Sequence, residues 1–267
     1  MLLSDLVVEF EALWPSRNAD EWDRVGLTLG SQKAEVKRVL FAVDLTHLVV
    51  DEAIAKECNL IVTHHPVLLK GVNSLADNEL KGSLVGRMIK AGIALFTAHT
   101  NADVSASGAS SLMAESFGLT DLKPLIAKQE AFGHGVVGTL NESQSLASFA
   151  KRVSDCLPDV ARKVSFAGKT DKPITRVAIC SGAGDSFLPS VLASDADVYV
   201  TSDLRHHVTL DALETPRPNG QLALIDVSHW AAESLWVSSA VLRLAGFGDL
   251  EAIASEVVTD PWTEEVF

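Results

Sequence analysis

Cysteine is scarce in this chain, and its basic residues never cluster. Cys58, Cys156 and Cys180 are the whole thiol complement. They are odd in number, scattered and never in C-x-x-C spacing. A disulfide framework and a thiolate zinc site are therefore not expected, and the three read as reduced, buried thiols of a cytosolic protein. Lys and Arg total 22 against 35 Asp and Glu, a formal net charge of -13, with a sequence pI of about 5.0. A binder of phosphate backbones needs a basic surface, so nucleic acid is not an expected partner. No apolar run reaches the roughly 18 residues a membrane-spanning helix requires. The first residues carry no basic n-region, and Asp5 and Glu9 interrupt their apolar stretch, so no signal peptide is expected and the cytoplasm is the expected location. A G-x-S-x-G elbow, a Walker A motif, low-complexity tracts and linkers are also missing, which argues against a serine hydrolase of that type and a P-loop enzyme.

Hydrophobic residues make up 47% of the 267 and mean hydropathy is +0.21, enough for a deep core or a buried oligomer interface. Apolar runs and helical periodicities alternate along the first half. A helix is expected over 5–13 with Ser4 as its N-cap. Strands are expected at 39–43, 60–63 and 93–98, with helices near 48–56 and 81–91, the latter ended by Gly92. After Gly118 the pattern shifts. A glycine-punctuated strand covers 133–138 and a helix 146–157. Strands follow at 177–180, 197–201 and 222–226, with helices near 187–193 and from Ser228 to about Leu244. The expected class is α/β: two interlinked halves with mostly parallel or mixed sheets, and a dinuclear metal site at the strand ends between them. Residues 1–125 with 222–267 are read as a metal-binding domain, and 126–221 as a second α/β domain.

Six of the eight histidines fall at expected strand ends or just beyond: His64, His65, His99, His206, His207 and His229. Strand ends are where α/β proteins place their chemistry. The pair His64-His65 closes the run Leu60-Ile61-Val62-Thr63. Alternation along a strand would send neighbouring side chains to opposite faces, which suits two ions, or one ion and a substrate, better than one shared ion. His229 and Glu233 sit four apart on an expected helix and so on one face, a spacing also common on solvated helices. Asp103, four residues after His99, suits a ligand and equally a helix N-cap. Three imidazoles and two carboxylates exceed one four-coordinate site but suffice for two ions if Glu233 bridges. Mixed nitrogen and oxygen donors without thiolate favour Zn, Fe, Mn, Co or Ni over Mg or Ca. Such a centre activates water and attracts an anionic substrate, so hydrolysis follows. Ser181-Gly182-Ala183-Gly184-Asp185-Ser186 reads either as a phosphate-cradling loop or as a plain strand-to-helix turn.

At these residues the chain resembles the GTP cyclohydrolase I type 2 / NIF-like family of dinuclear metal proteins. The resemblance spans nearly the whole length. It is carried by Trp22-Asp23-Arg24-Val25-Gly26-Leu27, Val50-Asp51-Glu52-Ala53-Ile54, Thr63-His64-His65-Pro66 and His99-Thr100-Asn101-Ala102-Asp103. It continues through the stretch from Thr201 to His207 and the stretch from Asp226 to Glu233. The resemblance implies that His65, Asp103 and His229 bind one ion, that His64 binds the other and that Glu233 touches both. His99 would line the pocket, and His99, His206 or His207 would move protons. Asp203, His206 and His207 belong to a second family motif with no metal role. The chain departs from the family pattern at Ser228, Trp230, Ala232 and Ser202, which changes the pocket wall but keeps both helix ligands. The implied activity is GTP cyclohydrolase-like: hydrolytic opening of the purine imidazole ring with release of formate, in a ring-shaped homohexamer acting on a small anion such as a nucleotide. A non-catalytic metal-binding or regulatory protein on the same ring, and a dinuclear phosphoesterase or amidohydrolase, are the other readings.

Overall fold

A computed structural model describes residues 1–129 and 132–264. They form an α/β protein of two compact units, Met1–Ala102 with Trp236–Thr259 and Asp103–Leu235 with Asp260–Phe267, whose segments interleave along the chain.

The first unit is built on a five-stranded sheet. Its strands are β1 (Gly26–Leu29), β2 (Arg38–Ala42), β3 (Leu60–Thr63), β4 (Ala94–Thr97) and β11 (Glu251–Ala254), in the order β1-β4-β3-β2-β11. Strands β11, β2, β3 and β4 run parallel, and β1 is antiparallel to β4. The β3 residues are buried on both faces, which is why this strand is a continuous apolar run. Helices α1 (Leu3–Leu13), α2 (His47–Ala55) and α3 (Leu80–Ala91) accompany the sheet. Thr46 caps α2 by accepting from Val49 N–H at 3.3 Å. Gly92 ends α3 in the left-handed conformation, φ 69°, as its lack of a Cβ permits. The expected Ser4 cap of α1 is not used: the helix starts at Leu3, with Ser4 inside its first turn. The N–H groups of Leu3 and Ser4 instead donate to the carbonyls of Ala34 and Gln32, both at 2.9 Å, so tertiary pairing satisfies donors that a side chain would otherwise take.

The second unit holds a six-stranded mixed sheet. Its strands are β5 (Leu119–Gln129), β6 (Phe132–Ser145), β7 (Ser165–Ala167), β8 (Pro173–Ala183), β9 (Val198–Ser202) and β10 (Ala223–Val227), ordered β5-β6-β8-β9-β10-β7. Only β8-β9 and β9-β10 are parallel; the other pairs are antiparallel. Residues alternate between two cores. Val177, Ile179, Val198, Val200, Ala223 and Ile225 face one, with α5 (Ala109–Ser116) and α6 (Leu146–Cys156). Ala178, Cys180, Tyr199 and Leu224 face the other, with α7 (Leu188–Ala193) and α8 (His206–Glu214). The strand Ala223–Val227, grouped on sequence with the first domain, pairs with β9 in this sheet, and of the C-terminal stretch Trp236–Thr259 joins the first unit. The antiparallel partner β5, the three-residue β7 and the edge strand β11 were not expected. Their runs are short or mixed in polarity, and they become strands by pairing with stronger neighbours. The last helix, α9, runs from His229 to Leu244. Among the described residues, no helix is long and apolar enough to cross a membrane.

Phe149, on the buried face of α6, is fully enclosed and meets Phe117 edge to face, with centroids 6.2 Å apart. We expect Phe149→Ala to cost about 3–5 kcal/mol of unfolding free energy, measured by urea denaturation.

Candidate functional site

The parallel register of the first sheet aligns three strand ends. Ala42, Thr63 and Thr97 are neighbours across β2, β3 and β4. Pairing persists one step further: His64 N–H donates to Ala42 O at 3.0 Å, His65 N–H to Val43 O at 2.9 Å, and Ala98 N–H to Thr63 O at 3.0 Å. The residues that follow, Asp44, His64-His65 and His99, therefore emerge at one edge. The two adjacent histidines do not point to opposite faces. The strand stops at Thr63, and the backbone bends there, with the Thr63 hydroxyl donating to His65 O at 2.9 Å. The rings of His64 and His65 lie 5.3 Å apart, and each lies within 5.5 Å of His99. One ligand atom from each of the three falls within 4.8 Å of the others. Zinc ligands at about 2.0–2.1 Å in a tetrahedron stand about 3.3 Å apart, so this face is the right size for a transition-metal ion.

Each of these imidazoles has one nitrogen engaged. His64 Nδ1 lies 2.9 Å from Ala98 O; a carbonyl only accepts, so Nδ1 carries the proton. His65 Nδ1 meets Asp44 Oδ1 at 2.7 Å, and Asp44 also accepts the Thr259 hydroxyl. His99 Nδ1 meets Asp23 Oδ1 at 2.9 Å. Asp23 is buried and receives Arg24 N–H at 2.7 Å and Thr100 N–H at 3.0 Å, together with the Thr100 hydroxyl. Burial pushes the Asp23 carboxyl up, but the bonds from His99, Thr100 and Arg24 outweigh it and hold the group well below the ordinary carboxylate range. Asn101 braces the same loop: it accepts His99 N–H at 2.9 Å and donates to Trp14 O at 2.7 Å. The effect is to orient the rings through Nδ1, as carboxylate and carbonyl partners do for metal-binding histidines.

The second unit repeats the device. Parallel pairing of β9 and β10 sets Ser202 beside Val227, and Asp203 and His229 follow. His229 Nδ1 meets Asp203 Oδ2 at 2.6 Å. One turn along α9, Glu233 brings Oε1 to 3.1 Å from His229 Nε2. With the proton on Nδ1, this geometry opposes a nitrogen lone pair to a carboxylate oxygen. A cation resolves that opposition, either a second proton on the ring or a metal ion. Gly182 closes the site from β8, where the β8-β9 register shifts between Ile179 and Ala183. Its φ is +70°, and a Cβ built there would lie 2.5 Å from Glu233 Oε1 and 3.4 Å from His229 Nε2. Glycine at such a bulge brings the backbone close to the functional side chains. Buried Cys180 is held protonated, first by burial and then by the negative charges of Asp103 and Glu233. Mixed imidazole and carboxylate donors of this kind fit a divalent transition metal.

The structure thus gathers His64, His65 and His99 in the first unit, and His229, Glu233 and Asp203 in the second. Asp103 ends the short helix α4 (Thr100–Asp103) rather than capping it. His206 and His207 open α8, exposed, with centroids 5.2 Å apart; His206 lines a cavity of about 340 Å³ with Phe166, Leu210 and Asp226. The glycine-rich stretch after Cys180 is the bulge that admits Glu233. The thiols are free, as expected; Cys58 and Cys180 are buried and Cys156 is only partly so. Asp23, Asp44 and Asp203, which orient the histidines, were not singled out as such. Asp44 had a usable signal, since it directly follows an expected strand. Asp23 had none in spacing, because it lies 76 residues from His99.

Substituting Gly182→Ala is expected to weaken zinc binding roughly 10–100-fold, read by competition with a chromophoric chelator, while circular dichroism keeps the native fold. Asp23 gives a pH-dependent expectation. Its folded-state pKa lies below the unfolded value of about 3.9, so its contribution is complete above that value and is lost as pH falls through the folded one. Asp23→Asn should lower the thermal midpoint at about pH 7, with the gap to wild type closing as pH falls below about 3.9; melts across that range measure it.

The comparisons with known proteins agree with this architecture. Residues 1–261 match the family Duf34/NIF3 (NGG1p interacting factor 3). A Streptomyces coelicolor protein named GTP cyclohydrolase 1 type 2 homolog is 37% identical over 99% of this chain and 94% of its own. Among solved structures, a Staphylococcus aureus hypothetical protein superimposes with a TM-score of 0.89 at 28% identity, covering 99% of both chains. A Bacillus cereus protein related to NIF3 gives a TM-score of 0.89 at 23% identity over 98% of both, a likeness of fold. On the extent of these matches, the chain belongs to the Duf34/NIF3 family.

Proposed function

We propose that this protein is a dinuclear metal-dependent hydrolase of GTP cyclohydrolase type, with His64, His65, Asp103, His229 and Glu233 as the ligands of two divalent ions. The observation that carries the reading is the uniform treatment of the imidazoles. His64, His65 and His229 each engage Nδ1 with an oxygen acceptor, and His229 Nε2 converges on a carboxylate. A histidine kept only for packing has no need of that arrangement. The name borne by the Streptomyces coelicolor relative supports the reaction class.

Two ions of Zn, Fe, Mn, Co or Ni would supply Lewis acidity and lower the pKa of water near neutrality. The chain's own part is to hold and move protons around the purine imidazole ring of a nucleotide such as GTP. In the overall change one water opens the ring at C8 and a second releases that carbon as formate. His99 is built as the base: Asp23 accepts the hydrogen bond from its Nδ1–H and stabilises the imidazolium that forms when Nε2 accepts a proton. His206 and His207, exposed at the start of α8, are further proton carriers in this reading. The protein works in the cytoplasm as a homohexamer, whose formation would cover exposed apolar side chains such as Val8, Ile89 and Leu242.

Elemental analysis of protein stripped and reloaded with zinc should find two ions per chain. Formate release from GTP, followed by a coupled dehydrogenase assay, should fall by at least about 100-fold in His65→Ala, with the oligomer unchanged by light scattering. Loaded protein that binds two ions yet releases no formate would instead favour the non-catalytic, metal-binding interaction reading.

A further inference from the structure

The stretch from Thr201 to His207 has no role in the ligand set above, yet one of its residues touches that set. We propose that Asp203 is a positioning residue. It keeps the imidazole proton of His229 on Nδ1, so that Nε2, the nitrogen facing Glu233, presents its lone pair to a cation. The proposal rests on the metal reading for its purpose, but the positioning itself does not require a metal.

Three observations carry it. First, the two carboxylates compete for one ring. Asp203 Oδ2 is 2.6 Å from Nδ1, and Glu233 Oε1 is 3.1 Å from Nε2. A neutral imidazole has one proton, and the side that holds it decides which nitrogen ligates. Second, Asp203 sits at φ +57°, a left-handed conformation uncommon for a residue with a side chain. Such strain persists where the surroundings over-determine it. Third, the surroundings do so here. Arg162 Nη1 lies 3.6 Å from Asp203 Oδ1, and its Nη2 donates to Asp226. Asp226, Arg162, Asp203 and His229 thus form a continuous chain of contacts. Without that chain, the proton would fall to the Glu233 side and block the ligating nitrogen.

Asp203→Gly removes the carboxylate and suits the left-handed backbone, so the fold should survive; Asp203→Asn also tolerates that backbone and keeps an accepting oxygen. Two readouts apply. In metal-free protein at a pH where His229 is neutral, long-range ¹H–¹⁵N correlation spectra report its tautomer. Chelator competition reports zinc affinity. We expect the Nδ1–H form in wild type and in Asp203→Asn, and the Nε2–H form in Asp203→Gly. Zinc affinity should fall roughly 10–100-fold in Asp203→Gly, and less in Asp203→Asn. Arg162→Leu should shift both readouts in the same direction by a smaller amount. An unchanged tautomer in Asp203→Gly overturns the proposal, whether or not affinity falls, because Asp203 would then act only as a charge. A tautomer that inverts as expected in a protein that binds no zinc upholds the positioning and removes the metal reading instead.

Discussion

Parallel strand register is the constraint on which the rest of this protein depends. In a parallel sheet, neighbouring strands end at the same edge, and whatever residue follows each strand is delivered there. In the first unit, Ala42, Thr63 and Thr97 stand in line, and the next residues supply Asp44, His64-His65 and His99. In the second, Ser202 and Val227 stand in line, and Asp203 and His229 follow. The apolar runs that form these strands are therefore as much a part of the site as the residues that follow them.

Electrostatics then refine what register delivers. An imidazole in water divides its proton between two nitrogens. Here each ring meets an acceptor of fixed position at Nδ1: Ala98 O for His64, Asp44 for His65, Asp23 for His99 and Asp203 for His229. The overall charge of -13 takes on a local meaning at these positions, where carboxylates meet ring nitrogens. Asp23 is the most committed of them, buried and saturated with donors, and its surroundings favour the ionised form strongly enough to overcome burial.

Much of this was legible in the chain itself. Apolar runs marked β2, β3, β4, β9 and β10 because strands buried on both faces carry little polar interruption. Gly92 marked the end of α3 because a left-handed residue was needed there. The family was readable from motifs with specific order and spacing, and so was the clustering of histidines at strand ends. Other features were not. Ser4 resembles an N-cap by every local rule, yet the donors of α1 are met by carbonyls of Gln32 and Ala34. Strand alternation would split the histidine pair between opposite faces, whereas the strand ends at Thr63, one residue too early for alternation to apply. The Nδ1 partners of the histidines lie from 21 to 76 residues away, too far for periodicity or spacing to pair them.

By itself, then, the sequence determined the class of the fold, the strands whose ends carry chemistry and the kinds of donor present there, because these follow from periodicity, hydrophobicity and residue type. Only the tertiary structure decided which nitrogen of each imidazole bears the proton, why Gly182 must lack a side chain and why Asp203 occupies a strained conformation. Those properties depend on distances of a few ångströms between residues that the chain holds far apart, and such distances exist only once the sheets have formed.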